Sequence, residues 1–286
     1  SRNIAEATQS DGLMSFNSDG FTVAADGGVN TNSNNFVAWN WKAGTTGSGT
    51  TTGSGTGKAY SYSVSTTAGF SIVKYLGNGT SGHTIPHQLG VKPNLIIAKR
   101  LDATENWNTY DSVNGATKYL ILDETAAAAA SAGRWNNTEP TSSVFTLGDS
   151  GNVNSNDSEH IAYCFTSING YSKIGSYDGS ASADGPFIYT GFKPAWFMTK
   201  KVNGAKDWNI FDNKRSDSGG GNANDQYLEA NTNAAEQSGQ DVDLLGNGIK
   251  IRSTSNEVSG DGNDFIYLAF AESPFVTSTG IPATAR

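Results

Sequence analysis

Gly69-Phe70-Ser71-Ile72-Val73 and Gly170-Tyr171-Ser172-Lys173-Ile174 are one phrase written twice, 101 residues apart. The same offset carries Gly90-Val91-Lys92-Pro93 onto Gly191-Phe192-Lys193-Pro194, Lys99-Arg100 onto Lys200-Lys201, Trp107-Asn108 onto Trp208-Asn209, and Asp111 onto Asp212. An offset held from Gly69 to Asp111 marks an internal repeat. Farther on it drifts, as loop insertions would make it. Phe145-Thr146-Leu147 pairs with Ile249-Lys250-Ile251, and Ala162-Tyr163-Cys164-Phe165 with Tyr267-Leu268-Ala269-Phe270. A third, partial copy lies at the start: Phe21-Thr22-Val23 matches Phe145-Thr146-Leu147 at offset 124, and Val37-Ala38-Trp39-Asn40-Trp41 matches Ile161 to Phe165 at the same offset.

The repeat divides the chain. Residues 1–43 read as the C-terminal half of a truncated repeat, and 44–68 as a Gly/Thr/Ser-rich linker with a lead-in strand at Tyr60–Val64. Two full repeats follow at 69–168 and 169–275, then a tail at 276–286. Within the linker, the run from Gly44 to Gly57 has the composition of a flexible coil. Within the repeats, short runs rich in β-branched and aromatic residues are separated by Gly, Asn and Pro. They predict strands at Phe70–Tyr75, Asn94–Arg100, Asn106–Tyr110, Lys118–Leu122, Ser143–Leu147 and His160–Ser167. The second copy predicts them at Phe187–Tyr189, Ala195–Lys201, Asp207–Phe211, Gln226–Leu228, Gly248–Arg252 and Phe265–Ala271. Ala126 to Ala130 could form a single helical turn, stopped by Gly133. The expected fold is all-β, made of tandem β-sandwich units of jelly-roll type.

Composition narrows the function. Thirteen Phe, eleven Tyr and six Trp supply enough apolar area to bury a core, so the chain is not of disordered type. The net charge is −8 and no basic run exceeds two residues, which argues against nucleic acid as a partner. No apolar stretch approaches the length of a membrane span and no signal-peptide pattern is present, so membrane insertion is not expected. The first residue is Ser rather than Met, which suggests a fragment or a processed product. The one cysteine, Cys164, sits in the apolar run Ile161–Phe165 and is expected to be buried and unreactive.

Two stretches carry a resemblance. The first is Ser15-Phe16-Asn17-Ser18-Asp19-Gly20-Phe21-Thr22-Val23, followed by Val37-Ala38-Trp39-Asn40-Trp41-Lys42-Ala43-Gly44. The second runs from Tyr75 through Gly77-Asn78-Gly79, Ile85, His87-Gln88-Leu89-Gly90 and Pro93 to Lys99-Arg100, with Trp107 and Asp111 beyond it. Together they resemble an uncharacterised repeat domain common in tail-fibre and other virion structural proteins of marine bacteriophages. The resemblance covers nearly the whole chain up to Phe275. It implies a protein of the virion surface, assembled in the host cytoplasm, with a sandwich likened to concanavalin A-type lectins. The partners expected on that reading are other copies of itself and other virion proteins; a second reading, a carbohydrate-binding adhesin module, adds a host surface glycan, and a third, less favoured, is a polysaccharide depolymerase. The resemblance carries over no catalytic residue.

The candidate sites are few. His83 and His87 are spaced like a helical metal pair, but Pro86 and the surrounding glycines favour a loop in which they brace a turn. Asn/Asp-rich loops at Asp26–Asn35, Asp149–Glu159 and Asp261–Asp264 could offer oxygen ligands to Ca²⁺, although none has EF-hand spacing and such residues also serve tight turns. No other cofactor is expected. Trp107 and Trp208 read as core. Trp135, Asn136 and Asn137 stand in a loop-like context without an aromatic counterpart in the other repeat, and are the candidate glycan contacts. Asp111 and Asp212 recur in both repeats, which favours a turn role over catalysis. No Ser-His-Asp arrangement or carboxylate pair is legible, so the chain is not expected to be an enzyme.

Overall fold

The computed structural model describes residues 3–215 and 222–272. In chain order it contains β1 (Leu13–Phe16), β2 (Phe21–Val23), α1 (Gly27–Asn30), β3 (Thr45–Thr50), β4 (Thr52–Gly53), β5 (Ala59–Ser65), β6 (Phe70–Leu76), β7 (His83–Pro86) and β8 (Leu95–Arg100). There follow β9 (Asn108–Asp111), β10 (Lys118–Ile121), β11 (Ala129–Ala130), α2 (Ala132–Trp135), β12 (Val144–Leu147), α3 (Gly151–Asn154) and β13 (Glu159–Phe165). The last group is β14 (Ser172–Asp178), β15 (Phe187–Tyr189), β16 (Pro194–Lys201), β17 (Trp208–Asp212), β18 (Asn224–Glu229), β19 (Gln237–Leu245), β20 (Gly248–Ile251) and β21 (Asp264–Ala271). The all-β expectation holds, and every strand pair is antiparallel.

A sheet of eight strands, ordered β11-β10-β9-β8-β13-β6-β5-β3, packs on a three-stranded sheet, β12-β7-β4. Between them lies a core of Val73, Tyr75, Ile85, Ile96, Tyr110, Trp135, Phe145 and Leu147. A second eight-stranded sheet, β14-β21-β16-β17-β18-β19-β20-β15, bends so that β19, β20 and β15 fold over its other strands. It encloses Tyr177, Phe197, Phe211, Val242, Ile249 and Phe265. The order β6-β13-β8-β9-β10 in one sheet is matched by β14-β21-β16-β17-β18 in the other.

The central strands are buried on both faces, which explains their unbroken apolar runs. In β8, Ile96 and Ala98 face the first core. Leu95 and Ile97 face the other way, into a third apolar layer shared with β16, β17 and β21. In β21, Phe265, Tyr267 and Ala269 face the second core, whereas Ile266, Leu268 and Phe270 enter the shared layer. The two sandwiches therefore stand back to back, with period-2 alternation dividing each strand between two cores.

Two expectations need correction, and the partial repeat departs from its full counterpart. Residues 45–50 are not a flexible linker: β3 pairs along its whole length with β5. The glycines read as flexibility are needed for close approach. A Cβ on Gly47 would lie 2.5 Å from the Tyr62 hydroxyl oxygen, and one on Gly49 would lie 2.9 Å from the Tyr60 ring. The alanine run gives the two-residue strand β11, and the helical turn falls later, on α2, with Gly133 inside it. Finally, Val37 to Trp41 is not a strand, unlike its counterpart in β13. β13 takes its hydrogen bonds from β6 on one side and β8 on the other. Residues 37–41 have no such neighbours, and an isolated strand leaves its backbone groups unpaired.

Candidate functional site

Two features define the surface that could meet a ligand or partner: the shared layer between the sandwiches and a polar groove beside it. The layer is built from aromatic rings. Trp196 meets Trp41 edge-on at 5.6 Å and Trp39 at 6.2 Å between ring centroids. Trp41 also lies 5.4 Å from Phe270, and Phe165 lies 6.1 Å from the same ring. Edge-to-face contact sets the positive rim of one ring against the negative face of the next, adding to plain area burial. Trp39 is fixed by its Nε1, which donates to Asp212 at 3.3 Å. Trp208 bridges the sandwiches by donating from Nε1 to the Ile121 carbonyl at 2.9 Å. A cleft of about 530 Å³ opens into this layer, with Trp107, Tyr163 and Phe16 among its walls.

The polar groove, about 850 Å³, runs between the N-terminal segment and the second sandwich. Asn34, Asn35 and Phe36 form one wall, and Lys214, Arg215, Gln226 and Glu236 face them. The Phe36 ring is exposed. Arg215 is held by Asp212 at 2.6 Å and Glu236 at 2.7 Å. An exposed ring among amides and charged groups can stack on an apolar face while the neighbours hydrogen-bond its rim. Sequence reading missed this groove, because it joins segments nearly 180 residues apart that share no motif.

The candidates read from sequence fall elsewhere. Trp135 is buried at 1% exposure, set edge-on between Tyr110 and Phe145. Its ring is closed to a sugar. Asn136 and Asn137 follow it in left-handed conformation, at φ 53° and 49°, and turn the chain after α2. The loop-like composition came from that turn, while the tryptophan points inward.

His83 and His87 brace the fold, but His83 opens strand β7 and pairs with β12 rather than standing in a loop, and His87 follows the strand. The Asn154 carboxamide oxygen already accepts from the Asn78 N–H, so His83 Nδ1 donates to it at 2.9 Å and Nε2 accepts from Thr51 Oγ1 at 2.6 Å. His87 Nε2 donates to the Thr141 carbonyl at 3.2 Å and Nδ1 accepts from the Leu89 N–H. Both imidazoles are thus fully engaged. Among the described residues no cluster of three His, Cys, Asp or Glu side chains could hold a metal ion. In the Asp149–Glu159 loop, the Asn154 amide is committed to Thr80 and Gly148 carbonyls.

Asp111 and Asp212 both end strands. Asp111 accepts from the Val113 and Asn114 N–H groups, and Asp212 from the Lys214 N–H. Burial pushes the Asp111 carboxyl above its ordinary value, against the pull of those bonds. Cys164 is fully buried, and burial raises its thiol pKa far from the reactive range. Lys200 is enclosed at the seam, donating to the Thr125 and Lys206 carbonyls, and burial lowers its ammonium to about 8.

Strands, turns and shared apolar layer define the class: an antiparallel all-β sandwich protein. The chain belongs to a family described as a domain of unknown function (DUF7483), matched over residues 1–274. No curated protein and no solved structure matches it.

Proposed function

We propose that the chain is a structural protein of the bacteriophage virion, of tail-fibre, spike or capsid-decoration kind, presenting tandem sandwich units on the particle surface for host attachment. The observation that supports this reading is the seam. Two sandwiches share one apolar layer around Trp196, Trp208 and Phe270, so they act as one stiff block. The sequence resemblance supplies the phage setting. On this reading the partners are other copies of the chain and other virion proteins, assembly occurs in the host cytoplasm, and no residue is catalytic. Mass spectrometry of purified particles is the test: peptides of this chain should be present at a stoichiometry of several copies per particle. Their absence overturns the proposal.

The groove at Phe36 favours a second reading, a carbohydrate-binding adhesin module, since it joins an exposed ring to amides at Asn34, Asn35 and Gln226. Glycan-array binding by the full chain that is lost on Phe36→Ala would support it. Equal binding by the variant would remove it.

A further inference from the structure

We infer that the apolar face of the N-terminal hairpin is a docking surface for a basic half-sandwich sheet built like residues 69–122. The inference goes beyond the virion reading and does not depend on it. Residues 11–31 repeat the local geometry of the stretch around α3. Asp26 caps α1 by accepting from the Gly28 N–H at 2.9 Å, as Ser150 caps α3 from Asn152 at 3.4 Å. Asn30 Nδ2 donates to the Ala24 carbonyl at 2.7 Å, and Asn154 Nδ2 to the Gly148 carbonyl at 2.7 Å. The Ala24 N–H meets the Gly12 carbonyl as the Gly148 N–H meets that of Arg134.

Matching side chains have opposite surroundings. Val153 and Phe145 are completely buried, while their counterparts Val29 and Phe21 are each 39% exposed. Trp135, which follows the Arg134 carbonyl bonded by Gly148, is buried, and Leu13, which follows the Gly12 carbonyl bonded by Ala24, is 49% exposed. Seven of the eleven exposed large apolar side chains among the described residues fall between Ile4 and Phe36. In the first sandwich, Val153 and Phe145 share a core with Val73, Tyr75, Ile96 and Tyr110, all drawn from 69–122. The ladder tells the same story. β12 pairs with β7, and β13 with β6 and β8, again all from 69–122. Here β2 has only β1, and 37–41 stays unpaired.

Charge identifies the occupant. Residues 69–122 hold five Lys/Arg against three Asp/Glu, whereas 123–168 hold one Arg against six Asp/Glu. Ion pairs join the halves, Lys92 to Glu139 at 2.6 Å and Lys74 to Glu159 at 2.9 Å. Residues 3–41 carry Glu6, Asp11, Asp19 and Asp26 and no Lys or Arg. That acidic set opposes pairing with a second copy of itself and suits a basic half of the 69–122 type.

The test joins a copy of residues 69–122 ahead of Ser1 in the full chain and follows amide hydrogen exchange. Exchange across residues 21–30 should slow by about tenfold or more relative to the unfused chain. Unchanged exchange in a folded fusion overturns the inference. Because a fusion can fail to fold for its own reasons, the unfused chain gives a second measurement. Val153→Asp should lower the unfolding midpoint by roughly 10 °C or more, and Val29→Asp should leave it unchanged. Equal damage from both would mean the face is already covered, which overturns the inference. So would a dimer in sedimentation that Val29→Asp converts to monomer, since a second copy would then be the occupant.

Discussion

Trp135 shows how a residue's neighbours in sequence can mislead about its surroundings in space. Asn136 and Asn137 adopt left-handed turns, so the segment reads as loop, yet the indole they follow fills the first core beside Tyr110 and Phe145. Its Nε1 is buried without a hydrogen-bond acceptor. Trp135→Ala should therefore cost about 3–5 kcal/mol, by lost packing and a residual cavity. Trp135→Phe should cost clearly less, because it fills much of the space and removes the unpaired donor. Denaturant unfolding monitored by circular dichroism measures both, and equal losses would refute this account.

At the scale of strands, acid should destabilise the chain chiefly through groups of the first sandwich. All three histidines lie in β7, just after it, or in β13, and burial holds each pKa below its ordinary value. His160, stacked on Tyr75 at 5.2 Å, is lowered to about 4. The unfolded chain then binds more protons than the native one between about pH 6.5 and 4. Stability is full above the unfolded value and is lost as pH falls through that window, by about 3 kcal/mol for His160 alone. His160→Phe, which keeps the stack, should flatten the fall of the unfolding midpoint between pH 7 and 4.5. An unaltered slope would rule His160 out as its source.

These strands were legible in the sequence because apolar runs bounded by Gly and Pro leave few other folds open. β15, for instance, falls on the expected residues, Phe187–Tyr189. The elements that escaped notice lack that signature. β19 carries Gly239, Asp241 and Asp243 along a half-exposed path, and β3 is threonine, serine and glycine laid under two tyrosines. β3 has no apolar residue and β19 alternates only at Val242 and Leu244, so pairing with neighbouring strands rather than a sustained apolar face fixes both. The groove at Phe36 escaped notice for another reason: it joins residues 34–37 to residues 214–236, which share no motif.

In the whole molecule, Trp208 ties the sandwiches together through its ring and its bond to Ile121. Backbone bonds from Ala128 to Val202 and from Lys206 to Thr125 run beside it. With that seam intact, heat should unfold the chain in one cooperative transition. Trp208→Ala should split the calorimetric trace into two, since each sandwich keeps its own core while the coupling between them falls. A single transition shifted to lower temperature would show that the seam is not what couples them.

The placement of β13 between β6 and β8 also sets an order in time. The chain is made from its N-terminus, so β6 and β8 leave the ribosome well before β13, whose residues lie about 90 positions after those of β6. Until β13 arrives, both earlier strands have an open edge toward the middle of the sheet, and β14 and β16 wait for β21 in the same way. Nascent chains on neighbouring ribosomes would thus display matching vacant edges at the same moment. Late closure of this kind makes crowding during synthesis, rather than stability once folded, the stage at which this fold is most exposed to mispairing.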